Sequence, residues 1–459
     1  MRVAVRTEAD TMIKRRRWFL KLVSASAVAP ALGQVAHAAH GGFSVRSFGA
    51  QGDGVSDDSA AFRQALKAGG DVLVPASDKG YLLSANLVVP AGARLVGDGG
   101  GRPSLIFQNV QGAAIQVLEG ASLNGLDLSV RDGRVRPTTV VAMRADAGKL
   151  VDCAVSGGSN YNVEIRGGNC LVTGGEQTGS RGTAIALIGA RATRVEVAGV
   201  RVKDNRFFGI WISEGARDNW IHDCSTTGNG LELIGVTVTS GGNRIENNHA
   251  SNTGDNGISI TGDHNEVSGN VCEQNAFSGI GVYGSFNHVH DNVCRDNGYY
   301  QRRAKANAAQ YSGITVTPSF GGLASGNTIE GNVCEGGPGS PQQFGIRLGR
   351  SQYPVWTARR APATRQNYVS YKDNLYKTAG GGAPGAHGDR PPVHTQGVES
   401  DGKLQWEWVG HQARGAAADD LPLDPQGNIV RNNRARGNRV GGLKNESRLD
   451  NAVAGNEAG

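Results

Sequence analysis

Between Asn219 and Asn332 apolar and polar residues alternate in short stretches, each closed by asparagine or glycine. One pattern recurs: an asparagine, a β-branched residue two positions on, a polar pair ending in asparagine, a turn, then Gly-Ile opening an alternating strand. The asparagines Asn248, Asn270 and Asn292 stand 22 residues apart, Asn332 follows after 40, and Asn433 recurs near the C-terminus. The expected strand starts Gly235, Gly257 and Gly279 are also 22 apart, with Gly313 and Gly345 after 34 and 32. A period of two within each stretch specifies strands, and about 22 residues per repeat suits a coil of three short strands and three turns. A single coil leaves backbone edges unpaired on both sides, and stacking at roughly 4.8 Å satisfies them. The chain is therefore expected to form an all-β, right-handed parallel β-helix, a solenoid rather than two or three globular domains.

Asparagine at a fixed coil position tolerates left-handed backbone and hydrogen-bonds the coils above and below, so the asparagine column reads as structural. Weaker coils precede it, with Cys153, Cys224 and, between them, Ala198 expected at the column position, and the helix is expected to start between residues 90 and 115. Cys272, Cys294 and Cys334 each follow an Asn-Val pair at successive coils. Stacked equivalent side chains make these small buried apolar residues, with parallel Cβ vectors poorly aimed for disulfides.

The segment FSVRSFGAQGDGVSDDSAAFRQAL, from Phe43 to Leu66, supplies a strand, a Gly-Asp-Gly turn, a helix start at Ser56/Asp57 and an amphipathic helix carrying Phe62 and Leu66. A solenoid needs covered ends, and this segment is expected to be the N-terminal cap. The same stretch resembles the N-terminal signature of the pectate-lyase-like superfamily of polysaccharide lyases, polygalacturonase-related hydrolases and phage tailspike depolymerases. With the coils, that resemblance extends over nearly the whole chain after residue 38. It implies action on a polysaccharide. More narrowly, the chain resembles twin-arginine-exported β-helix repeat proteins.

Residues 1–38 hold a basic stretch from Lys14 to Arg17, an apolar run from about Leu22 to Val35 and small residues at Ala36 and Ala38. That layout is an export signal, and RRRWFLK (Arg15 to Lys21) resembles the twin-arginine motif. Cleavage is expected after Ala38. No later stretch approaches the roughly 18 apolar residues of a spanning helix, so a periplasmic or secreted protein without a membrane span is expected. Net charge is +6, but the leader carries seven basic and two acidic residues, which leaves about +1. Basic composition thus gives no argument for nucleic acid. The 69 glycines beside 6 cysteines and 3 methionines suit a turn-dense chain.

Two insertions break the period: residues 299–311, just before Gly313, and roughly 351–426, just after the strand Gly345 to Leu348. The chain thus divides into a leader (1–38), a cap with first coils (39–115), the β-helix (116–350), an inserted loop or lid (351–426) and last coils (427–459). Loops on both margins of one sheet turn it into the floor of a groove, the expected site. Alternation sends Ile258, Ile280, Ile314 and Ile346 inward, so the outward row is Trp211, Thr237, Ser259, Gly281, Thr315 and Arg347. Glu214, Glu232, Asp255, His264, Tyr283, Tyr311 and Arg350 lie beside it. The second insertion adds Trp356, Tyr368, Tyr371, Tyr376, Trp406 and Trp408 among several arginines, residues that stack on sugar rings and pair with carboxylates.

Three chemistries fit this row. Hydrolysis needs two carboxylates, and Asp255 with Glu232 one coil earlier supplies a candidate pair. NTGDNGI (Asn252 to Ile258) resembles the Asn-Thr-Asp strand of polygalacturonases, but Phe277 and Ser278 replace the paired aspartates expected one coil later, and Gly-His-Gly is missing. Elimination needs a cation to neutralise a uronate carboxylate, for which Arg347 and Arg350 are candidates, and a base, for which Tyr283, Tyr311 or His264 are candidates. The surrounding arginines favour a lyase on an acidic glycan. The same constellation would serve C5-epimerisation, although the Asp-Pro-His triplet of alginate epimerases is missing. Trp211, Glu214, His264, Arg350 and Trp356 are expected to bind substrate. No cofactor is called for, since calcium would need more acidic residues on the groove floor. His288 and His290 flank inward Val289 on another sheet and are left out. A non-catalytic glycan-binding or envelope protein is the alternative, and either a monomer or a homotrimer fits.

Overall fold

A computed structural model describes residues 42–99, 101–299, 311–318, 323–350, 424–447 and 449–458, with parts of 368–411. The leader, Trp356 and the start of the second insertion lie outside the described residues. Three parallel sheets of 14, 12 and 13 strands run the length of the described chain, and each coil contributes one strand to each sheet. In one coil Trp220–His222 joins the 14-stranded sheet, Ser225–Thr227 the 13-stranded sheet and Ile234–Val236 the 12-stranded sheet. Cross-strand partners lie in register: Ile258 pairs with Ile234 and Ile280, and Ile314 with Ile280 and Ile346. These isoleucines are buried, forming a continuous apolar column at the solenoid axis.

Coils begin earlier than the interval 90 to 115. Asp71–Val74, Tyr81–Leu83 and Leu87–Val89 already supply one strand to each sheet. The helix Ser59–Ala68, with Asp58 at its N-cap position, starts slightly later than Ser56/Asp57. It buries Phe62 and Leu66, and Phe62 meets the Tyr81 ring edge-on at 5.4 Å. Asp57 is spent on the turn, where its carboxylate accepts from the backbone and hydroxyl of Ser59. Those bonds, with others from Ser84, hold its pKa down to about 2.

The asparagine column is real, and it is one of three. Asn270 Oδ1 accepts from the backbone N and Nδ2 of Asn248 at 2.9 and 3.0 Å. Asn270 Nδ2 donates onward to Asn292 Oδ1 at 2.9 Å and to Ile245 O at 2.8 Å. A second column runs through Asn219, Asn243, Asn265, Asn287, Asn327 and Asn428. A third links Asn205 to Asn229, and Asn275 through Asn297 to Gln342. The left-handed residue is not the column asparagine but the one before it: Asp223, Asn247, Asp291 and Asn432 have φ of 53 to 55°. That bend turns the next side chain inward, where its amide satisfies buried backbone groups at the corner.

Cys153 and Cys224 do occupy the column position, and Cys224 N donates to Asn248 Oδ1 at 3.0 Å. Ala198 does not. It pairs within a strand to Thr173 and His222, so the column position in that coil falls two residues later, at Val200. Cys272, Cys294 and Cys334 stack in register, and all six cysteines are free and buried. Burial raises the thiols of Cys153 and Cys224 to about 12.

The outward row of the 12-stranded sheet reads Trp211, Gly235, Ser259, Gly281, Thr315, Arg347. Gly235, not Thr237, therefore stands beside Ser259, and Gly235 is not a strand start equivalent to Gly257. Ile234 and Ile258 are 24 residues apart, whereas Ile258 and Ile280 are 22 apart. Carrying the shorter period backwards moves the register by two residues, which keeps the face of the sheet and changes the position along it.

Both insertions attach to this sheet. The first precedes Ser312–Val316, and the second follows Phe344–Leu348. The second is more than a loop: Tyr368–Tyr371, Asn374–Thr378, Gln405–His411 and Val398–Ser400 form a four-stranded antiparallel sheet. Tyr376 and Trp406 are fully buried, so these two aromatics pack inside the protein. Among the described residues no helix is long and apolar enough to cross a membrane.

Candidate active site

The turn from the 13-stranded to the 12-stranded sheet places Glu232 in one coil and Asp255 in the next. Glu232 is buried, and the Ser259 hydroxyl donates to its Oε1 at 2.6 Å. Its Oε2 makes no hydrogen bond with the described residues, and it is not a fully buried atom. Asp255 is half-buried and accepts from the backbone N of Asn256 at 2.8 Å. Asn256 Nδ2 donates both to Ser259 Oγ at 3.0 Å and to the Tyr283 hydroxyl oxygen at 2.9 Å. One amide thus ties two coils together, and the Ser259 hydroxyl extends the link to Glu232 in a third.

Burial pushes Glu232 up to about 8, and the charge of Asp255 adds to it. Burial also raises Asp255, to about 6, against the hydrogen bond from Asn256. The charge of one opposes ionisation of the other, so the pair loses its protons in two steps, with burial and the charge of Asp255 both weighing against an ionised Glu232. Between these two steps the pair is one carboxylic acid beside one carboxylate.

Tyr283 reaches Asn256 by folding back over the sheet. A Cβ at Gly281 would stand 2.6 Å from the Tyr283 hydroxyl, so this path exists because the outward row lacks a side chain there. Burial, then the charges of Asp255 and Glu232, push the Tyr283 phenol above its ordinary value. It is a proton-bearing group rather than a base. Tyr311 packs on Phe277 at 4.6 Å between ring centroids, and Phe277 N donates to Asp255 O at 3.1 Å, which sets both rings beside the carboxylate turn. Ser278 and Thr315 hydroxyls, 2.8 Å apart, continue the polar floor.

The other candidates are placed elsewhere. Arg347 stands three coils beyond Ser259, roughly 14 Å at the stacking interval, and pairs with Glu446 at 2.6 Å. Arg350 pairs with Asp424 at 2.8 Å. Glu214 sits at a left-handed turn, 60% exposed, facing Arg166 at 3.6 Å. His264 stacks on Phe286 at the turn leaving the sheet, with centroids 5.2 Å apart. Trp211, two coils before Ser259, lies parallel to Phe208 at 6.0 Å and 9° and offers an aromatic plate on the groove floor. His288 and His290 do lie on the 14-stranded sheet, paired with Glu330 and Glu266.

Sequence reasoning found the carboxylates and both tyrosines but passed over Asn256. The available signal was its place immediately before Gly257, where a polar side chain must project into the groove margin. Its bond to Tyr283 across 27 residues required the folded coil.

Stacked in-register coils, three parallel sheets and asparagine columns define a parallel β-helix protein. The chain belongs to the family described as "Right handed beta helix region", whose model matches residues 106–262, 139–302 and 234–357. Among solved structures it is similar to the catalytic unit of a thermostable alpha-1,3-glucanase from Streptomyces thermodiastaticus strain HF3-3, at 13% identity and a TM-score of 0.57, covering 91% of this chain and 70% of that one. It is also similar to the Dettilon tailspike protein, at 14% identity and a TM-score of 0.55, covering 82% of this chain and 90% of that one. The A-module of a mannuronan C-5 epimerase from Azotobacter vinelandii matches at 18% identity with a TM-score of 0.49, covering 66% and 91%. No curated protein matches in sequence.

Proposed function

We propose that this protein is a glycan-acting enzyme that hydrolyses glycosidic bonds, with Glu232 as general acid and Asp255 as the ionised carboxylate. The observation that carries the reading is a pair of carboxyl groups on adjacent coils at the groove margin, Glu232 buried with Oε1 held by the Ser259 hydroxyl and Asp255 half-buried, with burial raising both and the charge of Asp255 raising Glu232 further. An acid must hold a proton where its partner has lost one, and environments that push two such groups apart assign the roles. Glu232 Oε2 is the oxygen left to deliver the proton to a leaving group. Asp255, half-exposed, either activates water or attacks the anomeric carbon. Trp211 and Phe208 supply a stacking surface for a sugar ring two coils away. That one fold neighbour is a glucanase agrees with this use of the scaffold but assigns no residue a role.

Elimination or epimerisation of a uronate is less well supported. Both arginines weighed for it already pair with carboxylates, and the raised phenol of Tyr283 is a poor base. Arg347→Ala is accordingly expected to change turnover by less than about threefold, since it removes a distant ion pair. A loss of a hundredfold in kcat would return Arg347 to the mechanism. Gly281→Val is expected to displace Tyr283, release Asn256 and lower kcat/KM roughly tenfold to a hundredfold. Gly281 is not in the left-handed region, so its circular dichroism and melting should stay near those of the parent.

The deciding assay offers the protein a panel of neutral and acidic polysaccharides. New reducing ends without ultraviolet absorbance from unsaturated sugars support hydrolysis; that absorbance would mean elimination and would overturn it. The arginine pair in the leader supports a site of action outside the cytoplasm, and retention of an Arg16→Lys, Arg17→Lys precursor in the cytoplasmic fraction is the expected result.

A further inference from the structure

A cleft of about 570 Å³ lies at the other end of the turn that carries Asp255, where the chain leaves the 13-stranded sheet. Its lining includes Asn252, Gln274, Asp296, Tyr299, Ser340 and Pro341. The first three occupy one position in three successive coils, each directly following an in-register strand, His249–Ser251, Val271–Glu273 and Val293–Arg295. All three share a left-handed backbone, with φ of 52, 54 and 51°. Their Cβ atoms therefore leave the chain in the same direction, about 4.8 Å apart along the solenoid.

The side-chain amides of Asn252 and Gln274 make no hydrogen bond with other described residues. Each keeps two donors and an acceptor for a ligand. Asp296 uses Oδ1 to accept from Gly337 N at 2.7 Å, and its charge disfavours an anionic ligand. Tyr299 forms one wall, held by its hydroxyl donating to Thr253 O at 3.2 Å. Pro341 adds an apolar surface to the lining. Groups that donate and accept, repeated at nearly the length of a sugar ring between apolar walls, match the vicinal hydroxyls and C–H faces of an uncharged glycan.

The cleft is also joined to the carboxylate turn. Thr253, whose carbonyl holds Tyr299, places its hydroxyl among Asn275 Oδ1, Asn256 O and Asp255 O at 2.8, 2.9 and 3.1 Å, inside the same turn as Asp255. We infer that this cleft is a second carbohydrate-binding site, specific for a neutral glycan segment, which holds the polymer beside the Glu232 and Asp255 pair. This rests on the hydrolytic reading for the class of ligand and not for the binding itself.

The test uses the full chain as Glu232→Gln, so that ligand survives, titrated calorimetrically with cellohexaose, maltohexaose, mannohexaose and an alpha-1,3-linked glucohexaose, with hexagalacturonate as the acidic comparator. At least one neutral hexasaccharide is expected to bind, and Asn252→Ala with Gln274→Ala should weaken it tenfold or more. With Glu232 intact, the same pair of changes should leave turnover of a disaccharide substrate, too short to span both sites, unaltered. Unchanged affinity for the neutral hexasaccharides, no binding by any of them, or equal binding of hexagalacturonate that the double variant abolishes would each overturn the cleft. If Glu232→Gln kills turnover while the cleft changes are silent, the cleft fails and hydrolysis stands. If Glu232→Gln retains full turnover, hydrolysis fails, and the calorimetry still decides the cleft.

Discussion

Glu232→Gln is expected to lower kcat by roughly a thousandfold, the scale of losing a positioned general acid, while making the folded chain more stable in alkali. The amide fills the same volume and can still accept from the Ser259 hydroxyl, but it has no proton to give a leaving group. The stability effect follows from linkage. In the folded chain Glu232 titrates near 8, above its ordinary value of 4.5, because burial and the charge of Asp255 oppose ionisation. The folded state therefore binds more protons than the unfolded one across that window, so wild-type stability falls as pH rises from about 4.5 through about 8. Removing the ionisable group removes that slope, with a gain of up to about 5 kcal/mol expected at pH 9. Urea midpoints of both proteins from pH 5 to pH 9 measure it. Parallel curves would show that Glu232 is not held protonated. The same assignment gives wild-type kcat/KM a bell-shaped pH profile, with an acid limb from Asp255 near 6 and a basic limb from Glu232 near 8. A profile flat across both values would remove the pair from the reaction.

Asn270→Asp tests the scaffold at its most demanding point. The amide is fully buried, and its Nδ2 donates to Ile245 O, Ser268 O and Asn292 Oδ1. A carboxylate there would face three acceptors with no donor of its own, and the cost of an uncompensated buried charge is about 3 to 5 kcal/mol. Asn270→Ala loses the same bonds without the charge, for which roughly 2 kcal/mol is expected. The aspartate variant should also recover stability in acid, because burial raises its pKa and protonation returns one donor. Chemical denaturation at pH 4 and pH 8 separates the two variants. Equal losses for Ala and Asp at both pH values would contradict a column sealed from water.

Much of this molecule is readable along the chain. The 22-residue spacing, the period of two and the asparagines at fixed offsets are local features, and stacking converts each directly into an in-register column. For the same reason Glu232 and Asp255 could be nominated as a pair, because residues on the same turn of successive coils become neighbours in space; in the true register Glu232 stands at the place of Asn256, with Asp255 one residue before it. The direction of Tyr283 and the role of Asn256 were less accessible, since they depend on an empty space over Gly281 that only neighbouring coils define.

By itself, then, the sequence determined the solenoid, the inward and outward faces and the carboxylates on the groove margin, because each is a matter of periodicity. The tertiary structure decided the register where one coil takes 24 residues, the engagement of Arg347 by Glu446 across 99 residues, and the antiparallel sheet inside the second insertion. Those features depend on coil length, charge partners and packing between segments distant in the chain, and no repeating pattern encodes them. The raised pKa of Glu232 belongs with them: burial and a neighbour's charge raise it, and both exist only once the coils are stacked.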